Sequence, residues 1–93
     1  MSKRYRENRE RILRTQRAAK YGLTVTELDK LLEDQGGRCA ICQEASKVWH
    51  IDHNHETGKV RGVLCPGCNV GIGHLRESPE ALRSAADYLE AFL

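Results

Sequence analysis

Two groups of residues in this 93-residue sequence have types and spacings that could do chemistry. The first is the run Asp52-His53-Asn54-His55, together with Asn69 further along the chain. A histidine titrates near neutrality and can take a proton from water, while a carboxylate and a carboxamide are hard oxygen donors suited to a hydrated Mg²⁺. Hydrolysis of a phosphodiester needs both: a base to activate water, and a divalent cation to neutralise charge developing on the phosphate and the leaving oxygen. The second group is a pair of identical spacings, Cys39-Ala-Ile-Cys42 and Cys65-Pro-Gly-Cys68. Two thiolates three residues apart can reach one tetrahedral ion from a tight turn, so the four cysteines read as a structural Zn²⁺ site. Four sulfurs would close its shell and leave no position for water, which separates this metal from the chemistry. Disulfides or an iron-sulfur centre are the alternatives for the quartet. A redox role for either Cys-x-x-Cys has no βαβ context to support it.

These residues need elements to position them. The 22 residues between Cys42 and Cys65 suit one β-hairpin clamped at its base by the metal. Val48 to His53 has the β-branched and aromatic content of a strand, and Lys59 to Leu64 is its partner. Asn54-His55-Glu56-Thr57-Gly58 supplies the loop, with Gly58 free to adopt positive φ. The first strand thus ends on Asp52-His53, and a short helix from Asn69 to about Leu75 brings in the asparagine despite Gly71 and Gly73. Upstream, Thr24 and Glu27 form a capping box for a helix with the apolar stripe Val25, Leu28, Leu31 and Leu32, stopped by Gly36-Gly37. Downstream, Ser78-Pro79 opens a last helix whose apolar face is Leu82, Ala85, Ala86, Leu89 and Phe92.

The composition agrees with a small stapled domain. With 5% aromatic and 30% charged residues, hydrophobic burial alone is a thin source of stability for one short domain. The net charge of +2 hides an asymmetry. Residues 1–20 carry eight basic side chains against two acidic ones, a net of +6, which leaves −4 for the rest. From Lys3 to about Tyr21 the sequence favours a helix with few apolar positions, ended at Gly22. Such a basic arm suits a polyanion, nucleic acid above all, although a charge run can also be a merely solvated face. The expected division is a basic helix or arm over residues 1–22 and a metal-stapled domain over residues 23–93. No apolar run has the length of a membrane span and the N-terminus is too charged for a signal peptide, so a cytoplasmic protein without membrane contact is expected.

Cys39-x-x-Cys42, Ile51-Asp52-His53-Asn54-His55, Thr57-Gly58-Lys59-Val60-Arg61-Gly62-Val63-Leu64-Cys65 and Cys68-Asn69-Val70-Gly71-Ile72-Gly73 together resemble the phage recombination endonuclease VII family of HNH nucleases. The resemblance covers about residues 36–75 and agrees in order and spacing. It implies a small α+β fold, a zinc-stapled ββα-metal (His-Me finger) core with flanking N- and C-terminal helices. It further implies His53 as general base, Asp52 and Asn69 as ligands of a catalytic Mg²⁺ (or Mn²⁺), and His55 as a contact to the scissile phosphate or leaving group. Cys39, Cys42, Cys65 and Cys68 would hold the Zn²⁺. The substrate would be DNA, cut to 5′-phosphate and 3′-hydroxyl ends in the cytoplasm of a host cell, in company with phage packaging or recombination proteins. Junction-resolving members carry a substantial C-terminal extension, whereas this chain has a single helix after the core, so simple nicking or duplex cleavage stands beside Holliday-junction resolution. A non-catalytic zinc-ribbon module that binds nucleic acid, or a protein-binding zinc knuckle, would need no Asp52-His53-Asn69 set. A nicking monomer and a double-strand-cutting homodimer would share the same core.

Several residues have plainer readings. Asn69 could be a helix cap, His55 a loop residue, and His74 a surface or packing histidine; His50 shares the strand face of Asp52 and could approach the site, though a surface or packing role is favoured for it too. Lys59 and Arg61 share a strand face and could meet phosphates, Trp49 suits the small core, and Glu56 could support the site from outside.

Overall fold

The computed structural model describes residues 14–93. Residues 14–20 are helical (α1) and are followed by α2 (Val25–Asp34), β1 (His50–His53), β2 (Val60–Leu64), α3 (Pro66–His74) and α4 (Pro79–Glu90). The helix expected from Lys3 begins outside the described residues, but its end is as expected: Gly22 turns to φ 74°, and the Leu23 N–H closes back on the Ala18 carbonyl at 2.9 Å. Ala18 is fully buried against Leu28 and Val63, with Leu23, Leu31, Leu32, Trp49 and Ile51 packed around them. One small alanine thus ties the basic helix to the sheet.

The capping box forms as the sequence suggests. The Thr24 hydroxyl accepts from the Glu27 N–H at 3.1 Å, and the Glu27 carboxylate accepts from the Thr24 N–H at 3.0 Å. Beyond the helix, the Gln35 side chain behaves as a short strand. Its amide nitrogen donates to the Val63 carbonyl and its oxygen accepts from the Val63 N–H, both at 2.9 Å, covering the outer edge of β2. Gly62 suits this close approach, because a Cβ would stand 3.1 Å from Gln35 Oε1.

β1 and β2 pair antiparallel, with His50 opposite Leu64, Ile51 opposite Val63 and Asp52 opposite Gly62. The register then slips, His53 facing Val60, so that Arg61 is the extra residue of a β-bulge. In the loop, Asn54 Oδ1 accepts from the Glu56 and Thr57 N–H groups, and Gly58 takes φ 74°. The third helix starts earlier than the sequence suggested. Pro66 occupies the first helical turn and Cys65 caps it, its sulfur accepting from the Cys68 N–H at 3.4 Å, so the second metal turn is itself helical. α3 packs against β1, completing a β-hairpin followed by a helix. The architecture is therefore the expected small α+β fold: a ββα core stapled by cysteines, with helices on either side. In α4, Leu82 and Ala85 are half-buried while Tyr88 and Leu89 are exposed, as is Phe92 just beyond the helix. Among the described residues no helix is long and apolar enough to cross a membrane.

Candidate active site and metal centre

The two cysteine turns meet. Cys39 ends the segment after α2, Cys42 follows in the same turn, and Cys65 and Cys68 come from the start of α3. Their four sulfurs lie within 4.8 Å of one another, and Cys42 Sγ is 3.9 Å from Cys65 Sγ. Four thiolates bound to one zinc at about 2.3 Å would stand about 3.8 Å apart, so the donor set fits a tetrahedral ion. Burial pushes the Cys39 thiol up, but N–H donors from Cys65, Cys42 and Ile41 outweigh it and bring the pKa down to about 6. Burial, then the neighbouring sulfurs of Cys65, Cys39 and Cys42, push Cys68 up to about 12. Without a cation the four sulfurs cannot share their negative charge, and a bound divalent ion removes that conflict.

On the sheet, residues two apart share a face. His50 and Asp52 therefore share a face of β1, and His50 Nδ1 accepts from the amide of Asn69 on α3 at 2.9 Å. That bond uses the nitrogen of the carboxamide and leaves Asn69 Oδ1 as an oxygen donor. Asp52 is buried, with its carboxylate held side-on by Arg61: Nε donates to Oδ2 at 2.7 Å and Nη2 to Oδ1 at 2.9 Å. Each carboxylate oxygen keeps a second lone pair, so the donor chemistry of Asp52 and Asn69 fits an oxygen-bound divalent cation. His53 lies between the rings of Tyr21 and His55, at centroid distances of 4.9 and 4.7 Å. An open groove of about 430 Å³ runs past it, lined by Lys20, Tyr21, His53 and Gly58. His55 is exposed and stands 3.5 Å from Glu77.

The sequence pattern of recombination endonuclease VII matches residues 14–91. The chain belongs to the recombination endonuclease VII family. Two curated relatives are Gene 59 protein of Mycobacterium phage D29, 49% identical over 75 residues, and Gene 59 protein of Mycobacterium phage L5, 45% identical over 75 residues. In each case the match covers 76% of this chain and 46% of the relative, so the chain spans less than half the length of the curated relatives it matches. Among solved structures it resembles the ββα-Me type II restriction endonuclease Hpy99I, with a TM-score of 0.58 and 31% identity over 73% of this chain and 40% of that one.

Within this endonuclease VII fold, the expected residues are held in three separate contacts along the hairpin: Asp52 on Arg61, Asn69 on His50 toward its base, and His53 against the rings of Tyr21 and His55 toward its loop. Three contributors were not legible as such in the sequence. His50 is bonded to the candidate ligand Asn69, not merely packed, which its position two residues before Asp52 hinted at. Arg61 turns onto Asp52 because the bulge takes it out of the regular alternation. Glu77 reaches Arg61 from the link between α3 and α4, sixteen residues away, and nothing local marks it. Glu56 is exposed, its backbone N–H bonded to Asn54.

Proposed function

We propose that the chain is an HNH-type endonuclease that hydrolyses phosphodiester bonds of DNA with a divalent cation, Mg²⁺ or Mn²⁺, at Asp52 and Asn69. The observation that carries this reading is that Asp52 and His53 end β1 while Asn69 lies on α3, the helix packed against that strand, in the ββα core of a chain of the endonuclease VII family. His53 faces the open groove and is the base that takes a proton from water. Asp52 and Asn69 are the cation's protein ligands, and the bound ion would neutralise charge developing on the scissile phosphate. His55, exposed beside His53, is the contact to the phosphate or leaving oxygen. Lys20 and Tyr21 on the groove wall suit a phosphate and a sugar or base of the strand being cut. Cys39, Cys42, Cys65 and Cys68 hold Zn²⁺, which staples the hairpin and takes no part in hydrolysis.

Residues 1–22 form the DNA-binding arm in this reading and residues 23–93 the nuclease domain, joined by the packing of Ala18 on Val63. The phage origin of the relatives supports action in the cytoplasm of a host cell alongside packaging or recombination proteins. The test is incubation of the purified chain with supercoiled plasmid, linear duplex and a four-way junction, with Mg²⁺ or with EDTA. Nicking or cutting is expected with Mg²⁺ only, lowered at least a hundredfold in His53→Ala. The His53→Ala protein should keep its zinc and its fold. A variant that is folded and zinc-loaded yet cleaves at the parent rate would overturn the assignment of the base, and a parent that binds DNA without cutting it would leave a non-catalytic zinc ribbon.

A further inference from the structure

Four side chains from four parts of the chain form one polar string: Asp52 on β1, Arg61 at the bulge of β2, Glu77 between α3 and α4, and His55 in the hairpin loop. Arg61 donates twice to Asp52, and its Nη2 also donates to Glu77 Oε1, while Glu77 Oε2 lies 3.5 Å from His55 Nε2. The side chains of Asp52 and Glu77 are 11% and 26% exposed, so both carboxylates meet the guanidinium partly out of water. The backbone that delivers Glu77 is unusual. Arg76 and Glu77 have φ values of 57° and 53°, adjacent non-glycine residues in the left-handed region where a helix C-terminus ordinarily uses glycine.

Charge gives this string a meaning. A guanidinium stays protonated at any ordinary pH, and Asp52 first, then Glu77, make Arg61 hold its proton still more firmly. An aspartate paired with an arginine alone is a neutral couple, and a divalent cation approaching it meets the arginine's positive charge at close range. Adding Glu77 returns the group to a net charge of −1 and anchors the guanidinium from its other side. We propose that Glu77 is a positioning residue for cation binding at Asp52: it offsets the charge of Arg61 and holds that side chain edge-on. Asp52 then keeps both its orientation and the negative potential that an oxygen-bound divalent cation requires. The inference rests on the reading of Asp52 as a cation ligand.

The test is Mn²⁺ binding to the zinc-loaded full chain, followed by calorimetry and by the electron paramagnetic resonance of free Mn²⁺, for the parent, Asp52→Asn, Glu77→Gln, Glu77→Gly and the double variant Arg61→Gln/Glu77→Gln. Both Glu77 variants are expected to weaken Mn²⁺ binding about tenfold. Glycine suits the positive φ, so Glu77→Gly should unfold at no lower temperature than Glu77→Gln. Weak binding in the better-folded variant separates positioning from a structural role. Removing Arg61 as well should recover much of the lost affinity, since the two charges are removed together. Unchanged Mn²⁺ affinity in Glu77→Gln, or no recovery in the double variant, overturns the proposal. If Asp52→Asn abolishes binding while Glu77→Gln does not weaken it, only the role of Glu77 fails. If Asp52→Asn also binds like the parent, the reading of Asp52 fails with it.

Discussion

Asn69 can present either its oxygen or its nitrogen to a cation, and only the oxygen is a useful ligand. His50 decides between them by accepting the amide N–H at 2.9 Å, which turns Oδ1 the other way. Replacing His50 by leucine removes the acceptor and lets the carboxamide rotate, so Mg²⁺-dependent cleavage should fall about tenfold, the scale on which partners that orient metal ligands act. Glutamine at the same place still offers an oxygen acceptor and should retain most of the activity. Plasmid nicking rates for His50→Leu and His50→Gln, at matched zinc content, check this; equal rates would count against an orienting role. The chemical types of this centre were legible in the sequence because a base, a carboxylate and a carboxamide fell within one cysteine-bounded segment. The supporting residues were not. His50, Arg61 and Glu77 acquire their roles from contacts across the sheet and from the left-handed turn after α3, and residue type alone does not announce either.

At the scale of elements, local signals performed well wherever a helix end or a turn satisfied its own backbone. Thr24 with Glu27, Ser78 with Pro79, and Asn54 with Gly58 each act through bonds spanning a few residues, and each lies where the sequence put it. What fell outside those familiar patterns was misjudged. The expected strand from Val48 starts only at His50, and α3 begins at Pro66 because Cys65 doubles as a helix cap. The edge of β2 is the clearest example, since it is covered by a glutamine side chain that no strand pattern would reveal. That amide has little freedom to move, being bonded to the Arg38 and Val63 carbonyls and to the Val63 N–H. A methyl group at Gly62, 3.1 Å from Gln35 Oε1, must therefore displace it. Gly62→Ala is expected to cost about 1–2 kcal/mol. Urea unfolding followed by circular dichroism should show a lower midpoint with an unchanged slope, and a midpoint equal to the parent's would mean that the edge bonds contribute little.

At the scale of the whole molecule, the described core is small. Its buried hydrophobic residues are Ala18, Leu28, Cys39, Val63 and Leu64, and one of these is itself a cysteine of the metal quartet. So short a list is a thin offset to the ordering of the chain, and on the proposed reading a tetrahedral zinc linking the segment after α2 to the start of α3 would supply the missing free energy. Two metals with different duties should then leave at different speeds. On the proposed reading, a cation at Asp52 and Asn69 would exchange readily, whereas an ion held by four sulfurs, one on the fully buried Cys39, would come away slowly. Brief EDTA treatment should abolish cleavage while leaving the fluorescence of Trp49, the chain's single tryptophan, unchanged. Prolonged exposure to a zinc-specific chelator should expose Trp49, which packs against the cluster of Ala18, Leu28 and Val63, and shift its emission to longer wavelength as helical circular dichroism falls. Restoring Zn²⁺ should refold the chain, and Mg²⁺ should not, because hard oxygen-seeking ions do not replace zinc on thiolates. Were Trp49 to keep its half-buried place after the zinc is gone, the quartet would be a passenger on a core sufficient without it, and the stability of the hairpin would have to come from Ala18, Gln35 and the packing of α3.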